Sequence, residues 1–344
     1  MRIAFLLSGE HPTLPKEEVK AVLEAFRWEY RVVGELESLL ILDLASDPPG
    51  LYDVLSSRLA FTRSFGRVLT IIEPSRLPED LGSVKPPTIE GRFRVRAVRI
   101  RGCCRQLRSA HVEREIGAWI LRDNPGAKVD LDNPSREIIA VMTSGLLVVF
   151  LKEGEVDRTL FKIKEVAARP YVHPASMRPT LARAMVNLAR TRPGDLVLDP
   201  FLGVGGIALE VLSVGARLIG SDIREKMVVE AKNNLMAYGF LEGYTLLVAD
   251  ALDLTLEELA VRIVTDPPYG RMSSPVGHSP RGLVRRFLRR VPDYLEEGGW
   301  LAISVPLEFL DGKDFRESGL ELVQMFDIRE HRSLIRRLWV ARLM

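Results

Sequence analysis

The 344-residue chain has two cysteines, Cys103 and Cys104, and they are adjacent. Neighbouring thiols cannot staple a small fold, so a disulfide scaffold is excluded. No CxxC or His-Cys cluster offers zinc ligands, and no metal site is expected. No apolar run reaches the roughly 18 residues of a membrane span. Residues 1–9 hold a short apolar stretch without a small-residue cleavage site, so they read as a first strand and not a signal peptide. The chain lacks an excess of charge of either sign: its net charge is +2. It also lacks internal repeats and low-complexity tracts. Hydrophobic residues make up 47%, enough for ordinary cores, and the length suits two or three domains. A soluble, cytoplasmic globular protein is expected.

The most informative run is Asp266-Pro267-Pro268-Tyr269-Gly270. It follows Arg262-Ile263-Val264-Thr265, a short apolar run that reads as a buried strand. Two prolines stop strand pairing and stiffen the turn. Pro267 keeps a carbonyl acceptor, Asp266 adds a carboxylate, and Tyr269 offers a flat ring. Two acceptors beside a stacking ring suit a planar exocyclic amine such as a nucleobase –NH2. The chemistry implied is methylation of an amino nitrogen on adenine, cytosine or guanine.

Three earlier strands in the same half also end in an acid. Residues 196–200 run into Phe201-Leu202-Gly203-Val204-Gly205-Gly206 and an apolar helix over 207–214. A glycine-rich turn between strand and helix lets backbone approach a ligand closely. The spacing is not the GxGxxG dinucleotide fingerprint. A strand over 217–221 ends at Asp222, placed for ribose hydroxyls. A strand over 244–249 ends at Asp250, suited to the edge of an adenine ring. Any one of these acids could be a helix cap. Asp199, Asp222, Asp250 and Asp266 in register indicate a ligand at the carboxyl ends of a parallel sheet. A helix near 283–295, a strand over 300–305 and a terminal hairpin, 322–328 with 334–342, complete an α/β doubly wound pattern.

The N-terminal half is organised differently. Strands over 3–8, 30–33, 39–44 and 68–72 and helices over 15–26 and 51–61 give a βαββαβ order, a ferredoxin-like α+β layer. Residues 74–91, rich in Pro, Gly and Ser, read as a connection. Then come seven arginines without an acid: Arg92, Arg94, Arg96, Arg99, Arg101, Arg105 and Arg108. Phe93, Val95 and Ala97 alternate with Arg94 and Arg96, the pattern of a half-buried strand with a cationic outer face. Beyond Val98 the alternation breaks. Arg285, Arg286, Arg289 and Arg290 form a second cluster along one side of a helix. Either cluster alone could be a solvated face; both in an enzyme whose motif wants a base favour nucleic acid. A helix near 109–121 and strands over 137–143 and 146–152 follow. Residues 157–169 read as a charged linker.

The C-terminal half resembles the class I S-adenosylmethionine-dependent methyltransferases that modify exocyclic amines. That resemblance implies S-adenosylmethionine as cofactor. It puts Asp199, Phe201, Gly203 and Gly205 near the methionine moiety, Asp222 and Ile223 at the ribose, and Asp250 and Ala251 at the adenine. Asp266, Pro267, Pro268 and Tyr269 become the catalytic motif, with Asp266 also facing the cofactor. The unit from the arginine strand through the strands over 137–143 and 146–152 resembles a THUMP domain, an RNA-binding module of tRNA-modifying enzymes. The carrying residues are Phe93-Arg94-Val95-Arg96, Glu113-Arg114-Glu115-Ile116-Gly117 and Lys128-Val129-Asp130-Leu131-Asp132-Asn133-Pro134.

The run Pro170-Tyr171-Val172-His173-Pro174-Ala175-Ser176-Met177-Arg178-Pro179-Thr180, joined to the catalytic motif, looks like the archaeal and eukaryotic tRNA guanosine-10 N2-methyltransferases. In that family the segment closes over the methionine end of the cofactor, which implies that role for Pro179 and Thr180, with His173 and Pro174 nearby. The expected layout is a ferredoxin-like domain over 1–75, a THUMP domain over 76–155, a linker over 156–176 and a Rossmann-like methyltransferase domain over 177–344. Residues 271–282, rich in Ser, Pro and Gly, suit a lid. The implied partner is tRNA. Some members of the family also work with a small zinc-binding activator subunit, a requirement the sequence does not reveal.

Three readings are weighed: this tRNA guanine methyltransferase or a THUMP relative acting on another tRNA position or ribosomal RNA; a DNA adenine N6-methyltransferase; and a non-catalytic RNA-binding relic. The relatives acting on position 6 or on ribosomal RNA usually carry Asn where Asp266 stands. The DNA enzyme has no reason to carry a THUMP-like module. A relic would tolerate erosion of a motif that is intact here. Whether the product is mono- or dimethylguanosine stays open.

Overall fold

Apolar runs of two kinds, alternating and continuous, build two sheets in the computed structural model, which describes residues 1–173, 176–269, 279–331 and 334–344. Contacts divide the chain into two units. The first comprises 1–16, 28–57 and 61–156; the second comprises 17–27, 58–60 and 157–344.

The first unit carries an eight-stranded sheet. Its elements are β1 (Arg2–Leu7), α1 (Leu14–Ala25, whose later part belongs to the second unit), β2 (Tyr30–Leu36), β3 (Leu39–Leu44), α2 (Leu51–Arg58), β4 (Thr62–Ile72), α3 (Leu77–Ser83), β5 (Arg92–Arg99), α4 (Ser109–Arg122), β6 (Lys128–Val129), β7 (Arg136–Thr143) and β8 (Leu146–Glu155). The strand order is β2-β3-β1-β4-β8-β7-β5-β6. The strands of the ferredoxin-like and arginine-bearing segments thus share one sheet, joined where β4 pairs antiparallel with β8.

That junction depends on Gly66. A Cβ there would lie 1.8 Å from the Leu151 carbonyl oxygen, so only glycine permits the close approach. The bulge beside it, between Phe65 and Gly66, also explains why β4 starts six residues before the expected 68–72. The polar lead-in Thr62-Arg63-Ser64 and the glycine hide the strand. The expected connection over 74–91 contains α3. Its signals are a proline at the helix start and Glu79 and Asp80 in the first turn, and Leu77 and Leu81 are buried. The Pro, Gly and Ser around them mask those signals.

The second unit holds α5 (Thr159–Lys162), α6 (Pro179–Leu188), β9 (Leu196–Asp199), α7 (Gly206–Ser213), β10 (Arg217–Asp222), α8 (Glu225–Ala237), β11 (Tyr244–Val248), β12 (Ala260–Thr265), α9 (Pro280–Tyr294), β13 (Leu295–Pro306), α10 (Gly312–Glu317), β14 (Leu320–His331) and β15 (Leu334–Leu343). The sheet runs β11-β10-β9-β12-β13-β15-β14. Strands β9 to β13 are parallel; β15 is antiparallel to both β13 and β14. This is the α/β doubly wound sheet with a terminal hairpin expected from the sequence. The chain walks outward from β9 to β11, then returns to place β12 on the other side of β9. That reversal is a topological switch point, and ligands of open α/β sheets bind outside the strand ends there.

The hairpin has a further consequence. An antiparallel strand begins where its parallel neighbours end. Pro306, the last residue of β13, faces Arg336 near the start of β15. Arg336 therefore arrives at the carboxyl edge of the sheet, beside the end of β12. No helix among the described residues is long and apolar enough to cross a membrane.

Candidate active site

The glycine-rich turn after β9 forms the floor. Asp199 is buried at the strand end, 1% exposed. Its Oδ1 accepts from the Phe201 N–H (3.2 Å) and the Thr265 hydroxyl (2.7 Å). Gly205 sits at φ +83° as the residue before α7, and a Cβ there would lie 3.3 Å from that of Ala231. The left-handed turn aims the first N–H groups of α7, which have no intrahelical acceptor, toward the carboxyl edge. Gly206 and Ile207 of that turn line the cleft.

Asp222 closes the turn from β10. Its Oδ2 accepts from the Gly203 N–H at 3.1 Å and its Oδ1 from the Arg224 N–H at 3.0 Å. Oδ1 also accepts from the Arg224 Nε–H at 3.3 Å, and Oδ2 keeps a further lone pair for a ligand hydroxyl. Asp250 follows β11 and is exposed; its Oδ1 accepts from the Leu252 N–H at 2.9 Å. Asp266 follows β12 and is 13% exposed.

These groups border one cleft of about 1120 Å³, its open mouth included. Of the residues expected at the cofactor and the base, Asp199, Phe201, Gly203, Asp222, Ile223, Asp250, Ala251, Asp266, Pro267, Pro268 and Tyr269 line it. Gly205 shapes the turn from behind. Pro179 and Thr180 open α6, with Pro179 buried at the first helical position. Neither lines the cleft; His173, Ser176 and Met177 from the same segment do. Leu202, Val204, Arg224, Met227 and Leu283 complete the walls. Pro174, Gly270 and the lid segment over 271–278 lie outside the described residues. Ser279 caps α9, accepting from the Gly282 N–H at 3.1 Å.

Sequence reading missed Arg336. It is 2% exposed, and its guanidinium forms an ion pair with the Asp266 carboxylate. Its Nη2 also donates to the Ser304 hydroxyl at 2.7 Å. Its guanidinium carbon lies 5.0 Å from the Tyr269 ring centroid. Burial raises the Asp266 carboxyl above the ordinary carboxylate range, and Arg336 pulls it back down.

Burial also pushes Asp199 up to about 7, against the hydrogen bonds from Thr265 and Phe201; Asp266 and Asp222 add to the rise. A carboxyl raised in this way is neutral below its pKa and charged above it. A cationic ligand binds the charged form better, so its binding must expel the proton at lower pH. The affinity for S-adenosylmethionine is therefore expected to rise with pH, by up to about tenfold per unit below 7, and to level off above it. Calorimetry in buffers of different ionisation enthalpy would show proton release below 7. A pH-independent affinity without proton release would remove Asp199 from this role.

The arginines divide into anchored and free. Arg92 pairs with Asp130 (3.2 Å), Arg94 with Glu137 (2.8 Å) and Arg101 with Glu37 (2.8 Å). Arg99 donates to the carbonyls of Cys103, Cys104 and Leu107 and so shapes the turn after β5. Arg96, Arg105 and Arg108 are exposed and have no ion pair among the described residues. On α9, Arg285 pairs with Asp314 (3.2 Å) and Arg290 with Asp293 (2.8 Å). Arg286 is half-buried and Arg289 exposed. The expected cationic face of β5 thus ends at Arg96.

A doubly wound sheet with strand order 3-2-1-4-5-7-6, a glycine turn, an acid at each of four consecutive strand ends and the Asp266-Pro267-Pro268-Tyr269 run at the fourth define a class I methyltransferase. A family model described as "RMKL-like, methyltransferase domain" matches residues 167–326. The chain is 33% identical to a tRNA (guanine(10)-N2)-dimethyltransferase of Methanothermobacter thermautotrophicus, covering 98% of each chain. It is 30% identical to the enzyme of the same name from Methanocaldococcus jannaschii, covering 98% of this chain and 99% of that one. The crystal structure of TrmN from Thermus thermophilus shares the fold along the full length of both chains, with a TM-score of 0.56 at 22% identity. The chain belongs to the tRNA (guanine(10)-N2)-dimethyltransferase family. Its methyl donor is S-adenosylmethionine, and the glycine cradle, the buried Asp199 and the Asp222 carboxylate fit that molecule's ammonium, carboxylate and ribose.

Proposed function

We propose that this chain transfers methyl groups to the 2-amino nitrogen of guanosine 10 in tRNA. The observation that carries the reading is the position of Asp266-Pro267-Pro268-Tyr269 on the same cleft as Asp199 and Asp222. The names of the full-length relatives support the substrate and a dimethylated product. S-adenosylmethionine, when bound, supplies a sulfonium methyl whose C–S electron pair stays with sulfur as the amine nitrogen takes the methyl. Asp266 and the Pro267 carbonyl accept the two amine hydrogens and turn the nitrogen lone pair out of conjugation with the ring. Positioning of this kind can supply a large part of a rate enhancement. Asp266 stabilises the positive charge that develops on nitrogen and takes the leaving proton. Tyr269 stacks on the base, which must leave its helix to reach the cleft.

Unit one is proposed to bind the tRNA backbone. Within it the functional modules are a ferredoxin-like 1–75 and a THUMP-type 76–155, followed by a linker over 156–176 and the methyltransferase domain over 177–344. Because Arg92, Arg94, Arg99 and Arg101 are engaged within the protein, phosphate binding falls first to Arg96, Arg105 and Arg108, with Arg286 and Arg289 on α9. Changing Arg96, Arg105 and Arg108 together to glutamine is expected to weaken tRNA binding. The slope of log affinity against log salt should fall by about 0.7–0.9 for each phosphate that is no longer neutralised. Cofactor affinity should not move. A salt slope equal to that of the unchanged protein would make these arginines a solvated face only.

A methylation assay on tRNA against duplex DNA separates this reading from DNA adenine methylation. Run with the chain alone, it also reads whether a small zinc-binding activator is required. A cytoplasmic location is proposed from the tRNA substrate.

A further inference from the structure

Arg336 is 70 residues from the catalytic motif in sequence, yet it is the most deeply engaged side chain behind it. It contacts Asp266, Ser304 and Tyr269, and its Nη1 lies 3.7 Å from Glu330. A buried guanidinium is costly unless paired and hydrogen-bonded. An apolar residue would fill the space at lower cost to stability, so a cation here is better explained by the carboxylate it faces. Arginine also suits both neighbours at once, since its planar fork meets a carboxylate edge-on while its face stacks on a ring.

We propose that Arg336 is a positioning residue for methyl transfer, fixing the Asp266 carboxylate in one orientation and backing one face of the Tyr269 ring so that the target base takes the other. The proposal rests on the amine-methylating reading of this cleft. The neighbours of Asp266 sharpen it. Among the described residues, Arg336 is the cation that acts on Asp266, Glu330 is the acid that acts on it, and Tyr269, raised by burial, is neutral at working pH. Burial and Glu330 both favour a protonated Asp266, which accepts only weakly from an amine. Arg336 opposes them and favours the carboxylate, the form that accepts from an amine. Ser304, on β13, ties the guanidinium down so that it does not follow the carboxylate into the cleft.

The test uses the full chain. In Arg336→Gln, the Asp266 carboxyl should titrate about one to three pH units higher, the size of shift an adjacent opposite charge normally produces. A carbon-13 NMR titration of labelled aspartate carboxyls reads this without any substrate. Single-turnover methyl transfer at saturating cofactor should show its acid limb displaced upward by the same amount, because the active form is the carboxylate. Activity then falls away as pH drops through the raised pKa and is partly recovered at high pH. Cofactor affinity should stay within about twofold. Arg336→Lys should keep the acid limb near its original position while turning over more slowly, because an ammonium cannot stack on the Tyr269 ring.

Should Arg336→Gln fail to fold, Ser304→Ala loosens the same guanidinium without removing charge, and a smaller upward displacement is expected there. A rate reduced uniformly at every pH, with the Asp266 titration unmoved in either variant, would make Arg336 a structural residue and overturn the proposal. The NMR titration answers even if the chain proves to methylate something other than tRNA, so failure of the substrate reading and failure of this inference are distinguishable.

Discussion

Replacing Asp266 by alanine is expected to lower the single-turnover rate of methyl transfer by about a hundred- to a thousand-fold, the usual cost of losing one preorganised electrostatic partner. The carboxylate is the charged acceptor of the motif. Without it the Pro267 carbonyl holds one amine hydrogen, orientation is half lost, and the positive charge on nitrogen has no counter-charge. The buried ion pair adds a second effect. Removing Asp266 leaves the Arg336 guanidinium, 2% exposed, without its main partner, and breaking a buried pair typically costs about 3–5 kcal/mol of stability. The thermal unfolding temperature should therefore fall alongside activity. Asp266→Asn retains an oxygen for Arg336 or for the amine but not full strength for both, so its rate should lie between alanine and the unchanged protein. Saturating tRNA and cofactor isolate chemistry from binding. A folded Asp266→Ala protein with a near-normal single-turnover rate would mean that this motif does not hold the acceptor amine.

Asp222→Ala is expected to weaken S-adenosylmethionine binding about ten- to a hundred-fold, the range of about 1.5–3 kcal/mol for a hydrogen bond to a charged group. The effect has two sources. In the proposed site the carboxylate accepts from the ribose hydroxyls. It also tethers the Gly203 N–H at 3.1 Å and the Arg224 N–H at 3.0 Å, so its removal loosens the glycine turn that borders the cleft. Asp222→Asn keeps one acceptor oxygen and should fall between. Affinity for tRNA should be nearly unchanged. Calorimetric titration finding unchanged cofactor affinity in a folded alanine variant would contradict the placement of Asp222.

The difference between what sequence reveals and what it hides is visible at these residues. Asp199, Asp222, Asp250 and Asp266 are legible because each ends an apolar run, and strand ends at one edge of a parallel sheet share a ligand. The terminal hairpin is legible from two apolar runs and a polar turn, residues 332–333 of which lie outside the described residues. Arg336 is not legible. It stands next to Arg337 in a strand whose neighbouring positions Leu338, Trp339 and Val340 are all buried, so alternation gives no inward parity. Its partner is 70 positions away and is set by the register of β13 with β15. The seven arginines over 92–108 show the opposite error. Composition marks them as one group, but Glu137, Asp130 and Glu37 come from distant parts of the chain to engage three of them. In β4, a glycine that composition reads as a strand breaker is the residue that lets two strands meet.

The most direct test of the central claim is mass spectrometry of tRNA treated with the chain and S-adenosylmethionine, with nucleoside identification and position mapping. A parallel transcript should carry adenosine in place of guanosine 10. The account predicts N2-methylated guanosine at position 10, advancing to the dimethylated nucleoside with time, and no methylation of the substituted transcript. A methyl group on an adenine, on another guanosine, or on duplex DNA in preference to tRNA would contradict it.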